Sequence, residues 1–191
     1  MGVLESLGFG AALGFSLTVP PGPMNALIAA RAARSFRAAV LTGLGAMTAD
    51  AILAAVVFSL VQFVDLAPVV RPLDAVGAVV MAYFGVRILR STRAPPAPPP
   101  SDARTFSLGV GVGVANPFQV AWWLTAGLAF ARFGGPVLLA GLFGAILVWV
   151  LAFPFALSAG ARRSPRIARY ISIASAAIMF AFAAYLAILA L

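Results

Sequence analysis

The sequence predicts an all-α membrane protein whose six transmembrane helices form two inverted three-helix repeats, with helices 1 and 4 broken. Three observations support this fold class. The chain of 191 residues is 63% hydrophobic and 9% charged, whereas a soluble domain is about half apolar and a quarter charged. Its apolar residues form six stretches, each about long enough to cross a bilayer. A proline-rich segment separates the first three stretches from the last three.

The first predicted span covers 4–30 and contains the segment Pro20-Pro21-Gly22-Pro23, called PPGP below. Each proline lacks an N–H, so the carbonyl one helical turn earlier loses its partner. The affected carbonyls belong to Ser16, Leu17 and Val19. Non-helical backbone at membrane depth is tolerated only where it is buried in protein or lines a wet cavity. Broken helices of this kind are typical of transporter binding sites.

The other spans are predicted at 38–62, 69–89, 106–131, 134–159 and 167–191. The stretch 91–104 carries five prolines and is predicted to be an extended linker. It divides the chain into a first half at 1–90 and a second half at 105–191. Each half holds three spans, so the second half enters the membrane from the opposite side. The fourth span is broken at Asn116-Pro117, and paired breaks in corresponding positions indicate inverted repeats around a transport site.

The distribution of the 13 arginines predicts how the chain is oriented, since lysine and histidine are absent. Eleven arginines lie in or beside the connections after spans 1, 3 and 5, and two lie elsewhere. By the positive-inside rule, those connections and the linker face the cytoplasm, and both termini lie outside. We therefore predict a multi-pass protein of the cell inner membrane. The net charge of +8 is assigned to this orientation and to anionic lipid of the bilayer, and no nucleic-acid partner is predicted.

The absence of cysteine and histidine argues against several functions. It removes disulfides, thiolate metal sites and the commonest general base. A membrane-embedded enzyme would need paired acid and base groups, yet only one carboxylate lies near mid-membrane. We therefore predict no enzymatic activity, no cofactor and no resident metal. The glycines at 109, 111 and 113 do not match a nucleotide-binding loop, and Gly109 and Gly113 are interpreted as a face for close helix packing.

Asp50 is that carboxylate, about 18 Å from the cytoplasmic end of the second span in a hydrocarbon core about 30 Å thick. Exposure of a charge to lipid there costs at least about 2.5 to 3.5 kcal/mol, so Asp50 is predicted to face the protein interior. Small residues at Gly43, Ala46 and Ala54 share its helix face. Burial disfavours a carboxylate charge, so Asp50 could bind and release a proton near neutral pH. The alternative is that Asp50 only accepts hydrogen bonds from donors freed in span one.

The broken spans supply groups that complement a zwitterion. The N–H groups of Gly22, Met24, Asn25 and Ala26 open a new helical segment, whose positive dipole end suits a carboxylate. The free carbonyls before the break suit an ammonium group. We predict one proton-coupling residue, Asp50, and a substrate-binding set composed of Ser16, Pro21, Gly22, Pro23, Asn25, Asn116, Pro117 and Gln119.

The fourth span adds a polar and aromatic stripe. Asn116 is predicted to cap the segment after Pro117, and Asn116, Gln119 and Trp123 recur at helical spacing. For Asn116 and Gln119, hydrogen bonding between helices is an equal alternative to ligand contact. Trp122 and Trp123 are interpreted as an interfacial aromatic belt. A straight first span would put PPGP up to about 10 Å nearer the cytoplasm than Asp50, so that a substrate would contact the two in sequence.

Together these residues resemble the LysE/RhtB superfamily of small amino-acid exporters. The resemblance rests on Pro21-Gly22-Pro23, on Gly43-x-Gly45 followed by Asp50, and on Asn116-Pro117. It implies export of amino acids or related small metabolites, energised by the membrane gradient. Proton-coupled antiport is expected, and a neutral substrate is favoured because only one acid is buried.

Within the same superfamily, the alternative is a divalent metal cation exporter. For that function one carboxylate with Asn116, Gln119 and free carbonyls is a lean set of oxygen ligands. The chain also departs from the superfamily pattern at Phe118, where lysine often follows Asn-Pro, and in 31–37, which lacks an expected glycine. A homodimer is compatible with the sequence.

Overall fold

The computed structural model describes residues 2–20, 22–60, 67–91, 101–124 and 135–190, and all regular structure in these ranges is helical. The predicted all-α class is confirmed. Eight helices are described, and we number them in chain order: α1 (Val3–Thr18), α2 (Pro23–Ala32), α3 (Phe36–Leu60), α4 (Ala67–Ser91), α5 (Asp102–Val114), α6 (Pro117–Trp122), α7 (Pro136–Arg163) and α8 (Pro165–Ala190).

The predicted interruption at PPGP is observed between α1 and α2, whose directions differ by 79°. Pro23 is the first residue of α2, a position where its missing N–H has no helical partner to lose. Gly22 precedes it in an extended conformation and acts as the N-cap. Pro21 lies outside the described residues.

The second predicted interruption is observed between α5 and α6. Pro117 begins α6, and the Asn116 side-chain oxygen accepts the Phe118 N–H at 3.2 Å. The predicted cap is therefore confirmed, and it satisfies one of the donors that a helix start leaves free.

Among the described residues, α3 over Phe36–Ser59 and α7 are long and apolar enough to cross a membrane by themselves. The bent pair α1 and α2 forms a third candidate if it is taken as one span. The described residues thus supply two or three of the six predicted spans. Helical structure also enters both ends of the predicted linker: Ser91 ends α4 and Asp102 begins α5. Residues 92–100 of that linker lie outside the described residues.

Three helix pairs make the most extensive contacts: α1 with α7, α3 with α5, and α4 with α8. The first two depend on glycine. A Cβ atom on Gly109 of α5 would lie 2.1 Å from the carbonyl oxygen of Thr42 on α3, so only glycine fits this crossing. Gly113 lies equally close to Ala49, with 2.5 Å between the added Cβ and the alanine Cβ. The predicted packing role of Gly109 and Gly113 is confirmed.

At the start of α5 an exposed ion pair joins Asp102 to Arg37 at the start of α3. The carboxylate and the guanidinium are in direct contact, so the connection after α2 and the first turn of α5 lie on one face of the bundle. An exposed pair contributes at most about 1 kcal/mol. Its value here is topological, because the positive-inside rule assigns both segments to the cytoplasm.

Candidate functional site

A cavity lies where the two helix breaks meet the middle of α3 and α7. Its volume is about 50 Å³, which is room for a few water molecules. Hydrocarbon side chains form most of its wall. Six residues bring polar side-chain groups to it: Thr18, Asn25, Asp50, Asn116, Gln119 and Trp149.

Asp50 lies on α3 with 3% of its surface exposed. Its Oδ1 atom accepts a hydrogen bond from Gln119 Nε2 at 2.8 Å and another from Trp123 Nε1 at 2.8 Å. No hydrogen bond to Oδ2 is found among the described residues, where every fully buried polar side-chain atom has a partner. The second carboxylate oxygen is therefore not sealed off, and it is accessible from the cavity that Asp50 lines.

Gln119 links Asp50 to the second break. Besides its bond to Asp50, its Nε2 donates to the Ala46 carbonyl oxygen at 3.3 Å, which is one turn earlier on α3. Asn116 Nδ2 approaches Gln119 Oε1 at 3.5 Å. Gln119 thus forms the predicted hydrogen bond between helices, and both amides also line the cavity. The two alternatives considered for these residues describe one arrangement.

The interpretation of Trp123 as an interfacial belt residue is wrong. The residue is 1% exposed and donates its indole N–H to Asp50. Its ring packs edge-on against Phe58 and stacked against Phe143, with centroid distances of 6.2 and 6.4 Å. Trp123 comes one turn after Gln119, so the same helix face that carries the amide carries the indole. The donors to Asp50 therefore follow the second break, whereas the alternative considered for Asp50 expected them in span one.

Asn25 holds the first break together from the α2 side. Its Nδ2 donates to the carbonyl oxygens of Thr18 and Pro20, the latter at 3.0 Å. Its Oδ1 accepts the indole N–H of Trp149 on α7 at 3.1 Å. A single amide therefore bridges the end of α1, the start of α2 and the middle of α7.

Two details of the predicted break differ from the structure. The carbonyls at the end of α1 that bind Asn25 are those of Thr18 and Pro20, which are not among the three predicted. The Ala26 N–H donates to the Gly22 carbonyl at 2.9 Å, so it belongs to the α2 ladder and is not a free terminal donor. The open N–H groups of α2 are confined to its first turn.

The predicted site residues separate into three groups. Those that line the cavity are Gly22, Pro23, Asn25, Asp50, Asn116 and Gln119. Ser16 is exposed, does not line the cavity and donates its hydroxyl back to the Leu13 carbonyl at 2.7 Å, because its position on α1 faces away from the break. Pro117 is buried but is not part of the cavity wall. Pro21 lies outside the described residues.

Both PPGP and Asp50 contribute to the same cavity. Pro20, Gly22 and Pro23 line it together with Asp50. The separation expected from a straight first span is not observed, since the chain turns by 79° at the break and α2 does not continue along α1.

Sequence reasoning missed the contribution of α7. Ile146, Trp149 and Val150 line the cavity from this helix. The available signal was the position of Trp149, which lies about 20 Å along α7 from its start and so far from the interfacial ends where tryptophan is usual. Phe118 was noted only as a departure from a family pattern, and it also lines the cavity.

The chemistry of the cavity is that of a binding site with one acid. Among its described lining residues, Asp50 is the only ionisable one. The described part of the chain contains no group of three or more Asp, Glu, His or Cys side chains that could hold a metal ion. The arrangement offers an accessible carboxylate oxygen, two amides and a helix start within one largely apolar enclosure.

A helical bundle with apolar spans, two broken helices and a buried acid between them defines a membrane translocator. Residues 15–190 match the family model described as LysE type translocator. The chain belongs to this family. It is similar to "Putative amino acid efflux protein YcgF" of Bacillus subtilis (strain 168), with 36% identity over 120 residues. That match covers 59% of this chain and 57% of the relative, so the chain spans little more than half the length of this relative. No solved structure matches the chain.

Proposed function

We propose that this chain is an exporter in the cell inner membrane that moves a small neutral amino acid, or a related metabolite, out of the cytoplasm in exchange for protons. The observation that carries the proposal is the cavity between two helix breaks in which Asp50 is the only ionisable lining residue described. Membership of the LysE type translocator family supports export. The relative named as an amino acid efflux protein supports the choice of substrate.

In this proposal the substrate binds as a zwitterion. Its ammonium group pairs with Asp50 Oδ2, the oxygen that no described residue occupies. Its carboxylate faces the first turn of α2, where the N–H groups of Met24 and Asn25 and the positive end of the helix dipole favour an anion. One acid without a matching base suits a substrate with one ammonium group in the cavity and no charged side chain.

Exchange follows from competition for one atom. A proton on the Asp50 carboxyl removes the charge that attracts the ammonium group, and a bound ammonium group favours the deprotonated acid. Asp50 therefore carries either a proton or a substrate. If the cavity opens alternately to the two sides of the membrane, each substrate that leaves outward is replaced by a proton that moves inward.

The test uses purified protein in liposomes with an imposed pH gradient and a labelled neutral amino acid. Asp50→Asn is the informative variant, because an asparagine Oδ1 still accepts the hydrogen bonds from Gln119 and Trp123 while the side chain no longer titrates. We expect gradient-driven accumulation to fall by at least about tenfold. Asp102→Asn is the matched control, since Asp102 is an exposed acid whose ion pair lies on the surface. It should transport as the wild type does.

Wild-type accumulation in Asp50→Asn would remove Asp50 from the coupling mechanism. The alternative cargo is tested in the same liposomes. Flux of Mn²⁺ without any amino-acid movement would favour the divalent cation exporter of the same superfamily.

We further propose that the two halves at 1–90 and 105–191 are inverted repeats that together provide six spans. The contact between α1 and α7 supports this. A Cβ on Gly10 would lie 2.1 Å from the Leu138 carbonyl oxygen, and one on Gly141 would lie 2.3 Å from the Leu7 carbonyl oxygen. Each helix thus places a glycine against the backbone of the other.

The contact between α3 and α5 repeats this arrangement. A Cβ on Gly109 would lie 2.1 Å from the Thr42 carbonyl oxygen, and one on Gly45 would lie 2.2 Å from the Phe106 carbonyl oxygen. Positions on α1 correspond to positions on α5 that are 99 residues later, as in Gly10 and Gly109. Positions on α3 correspond to positions on α7 that are 96 residues later. A pseudo-twofold relation between the halves accounts for both crossings with one register, and such repeats are common in transporters.

A further inference from the structure

Trp149 forms a wall of the cavity on the side of α7. Two contacts hold its ring in place. The indole N–H donates to Asn25 Oδ1 at 3.1 Å, and the ring stacks on Phe153 with a centroid distance of 5.0 Å and an angle of 10°. A side chain constrained by a hydrogen bond and a stacked ring is a rigid boundary and does not adapt easily to a larger ligand.

The space in front of this wall is small. The cavity of about 50 Å³ holds a few water molecules, and α3 closely approaches α7 on the opposite side. An added Cβ on Gly43 would lie 2.8 Å from Val150 Cγ1, so the two helices cannot separate without repacking at this level. Room for a longer substrate side chain could come only from the volume that Trp149 fills.

The surroundings of Trp149 also indicate which end of a substrate it meets. The polar groups of Asp50 and Asn25 occupy one part of the cavity, and Met24, Ile28, Ile146 and Val150 line it with hydrocarbon. A ligand whose charged end is held at the polar groups directs its side chain toward the apolar wall.

We infer that Trp149 sets the upper limit on substrate size, so that the cavity takes amino acids with short apolar side chains and rejects bulky ones. This inference rests on the proposed function. Trp149 is a specificity-determining residue in it, and the bond to Asn25 positions the indole.

The experiment compares initial transport rates of labelled alanine and phenylalanine in liposomes under the same gradient. Wild type should prefer alanine. Trp149→Ala should raise the ratio of phenylalanine to alanine transport at least about tenfold, since apolar pockets discriminate by this factor or more for small changes in side-chain volume. Trp149→Phe, which removes less volume, should shift the ratio in the same direction by a smaller amount.

Leu151→Ala is the matched control, because Leu151 is 45% exposed on the same helix and does not line the cavity. Its ratio should equal that of the wild type. A second readout is the shift in melting temperature that each amino acid causes in detergent, which reports binding without transport.

An equal loss of both substrates in Trp149→Ala and Trp149→Phe, with the ratio unchanged, would assign Trp149 a purely structural role and overturn the inference. Should Trp149→Ala fail to fold, the ratio in Trp149→Phe decides alone. A wild-type protein that moves neither amino acid under the gradient would instead contradict the proposed function, and the inference would fall with it.

Discussion

The indole nitrogen of Trp123 lies 2.8 Å from Asp50 Oδ1, although 73 residues separate the two in the chain. The contact joins the segment after the second helix break to the middle of α3. Together with the Gln119 amide it occupies one oxygen of the carboxylate and leaves the other accessible from the cavity. The two donors thus orient Asp50 for a ligand.

Replacement of Trp123 by phenylalanine should therefore weaken the bundle near Asp50. The ring contacts are largely kept, while a hydrogen bond to a charged group, worth about 1.5 to 3 kcal/mol, is lost. We expect the melting temperature in detergent to fall by at least about 3 °C. Trp122→Phe removes the neighbouring indole N–H, which does not bond to Asp50, and serves as the control. Equal melting temperatures for Trp123→Phe and wild type would show that the bond contributes no stability.

The close approach of α3 and α5 leads to a prediction for two glycines on one helix. Gly109→Ala places a Cβ 2.1 Å from the Thr42 carbonyl oxygen, so the helices must shift. Overpacking of this kind costs about 1 to 3 kcal/mol. At Gly111 an added Cβ meets no atom within 4 Å, and alanine there should be neutral or stabilise the helix by about 0.5 to 1 kcal/mol. Thermal unfolding of both variants in one detergent checks the contrast, and a stable Gly109→Ala protein would contradict the crossing.

Asn25 and Ser16 offer a direct comparison of two residues that sequence reasoning placed in the same site. Asn25→Ala removes the amide that binds the end of α1 and the indole of Trp149. We expect transport in liposomes to fall at least about tenfold, because the break loses its bridge and the cavity wall its anchor. Ser16→Ala removes only a hydroxyl that bonds within its own helix, and it should transport normally. Loss of transport in Ser16→Ala with retention in Asn25→Ala would reverse the assignment.

The absence of cysteine makes the chain a natural background for topology mapping. Single cysteines at Ser35, Gly135 and Ser164 mark both ends of α7 and the connection after α2. With the proposed orientation, Gly135→Cys should react with a membrane-impermeant maleimide in intact cells, because position 135 is exposed at the outer end of α7. Ser35→Cys and Ser164→Cys should react only after permeabilisation. Reaction of Gly135→Cys and Ser164→Cys from the same side would show that α7 does not span the membrane.

Much of the site could be found from the sequence because its origin is local. Pro23 and Pro117 interrupt helices through their own covalent geometry, whatever surrounds them. Asn116 is a cap because of its position just before a helix. A carboxylate at mid-span must avoid lipid, so the burial of Asp50 also follows from the sequence. These residues were predicted at the site and line or border the cavity.

The errors concern residues whose roles depend on direction. Ser16 and Trp123 were assigned from composition and distance along the chain, but the side on which a helix residue faces depends on how that helix packs. Trp123 faces inward toward Asp50 and Ser16 faces outward. The role of Trp149 was missed for the same reason, since nothing near it in sequence identifies Asn25 as its partner.

The sequence by itself determined the helical class, the two points at which helices break and the single acid placed between them. Those features follow from backbone chemistry and from the cost of a charge in lipid, which act residue by residue. Only the tertiary structure decided which groups meet. The glycine contacts set how closely α5 lies against α3, and that approach brings Gln119 and Trp123 to Asp50 across 69 and 73 residues of chain. Hydrogen bonds need partners within about 3 Å, and such proximity between distant segments is created by helix packing.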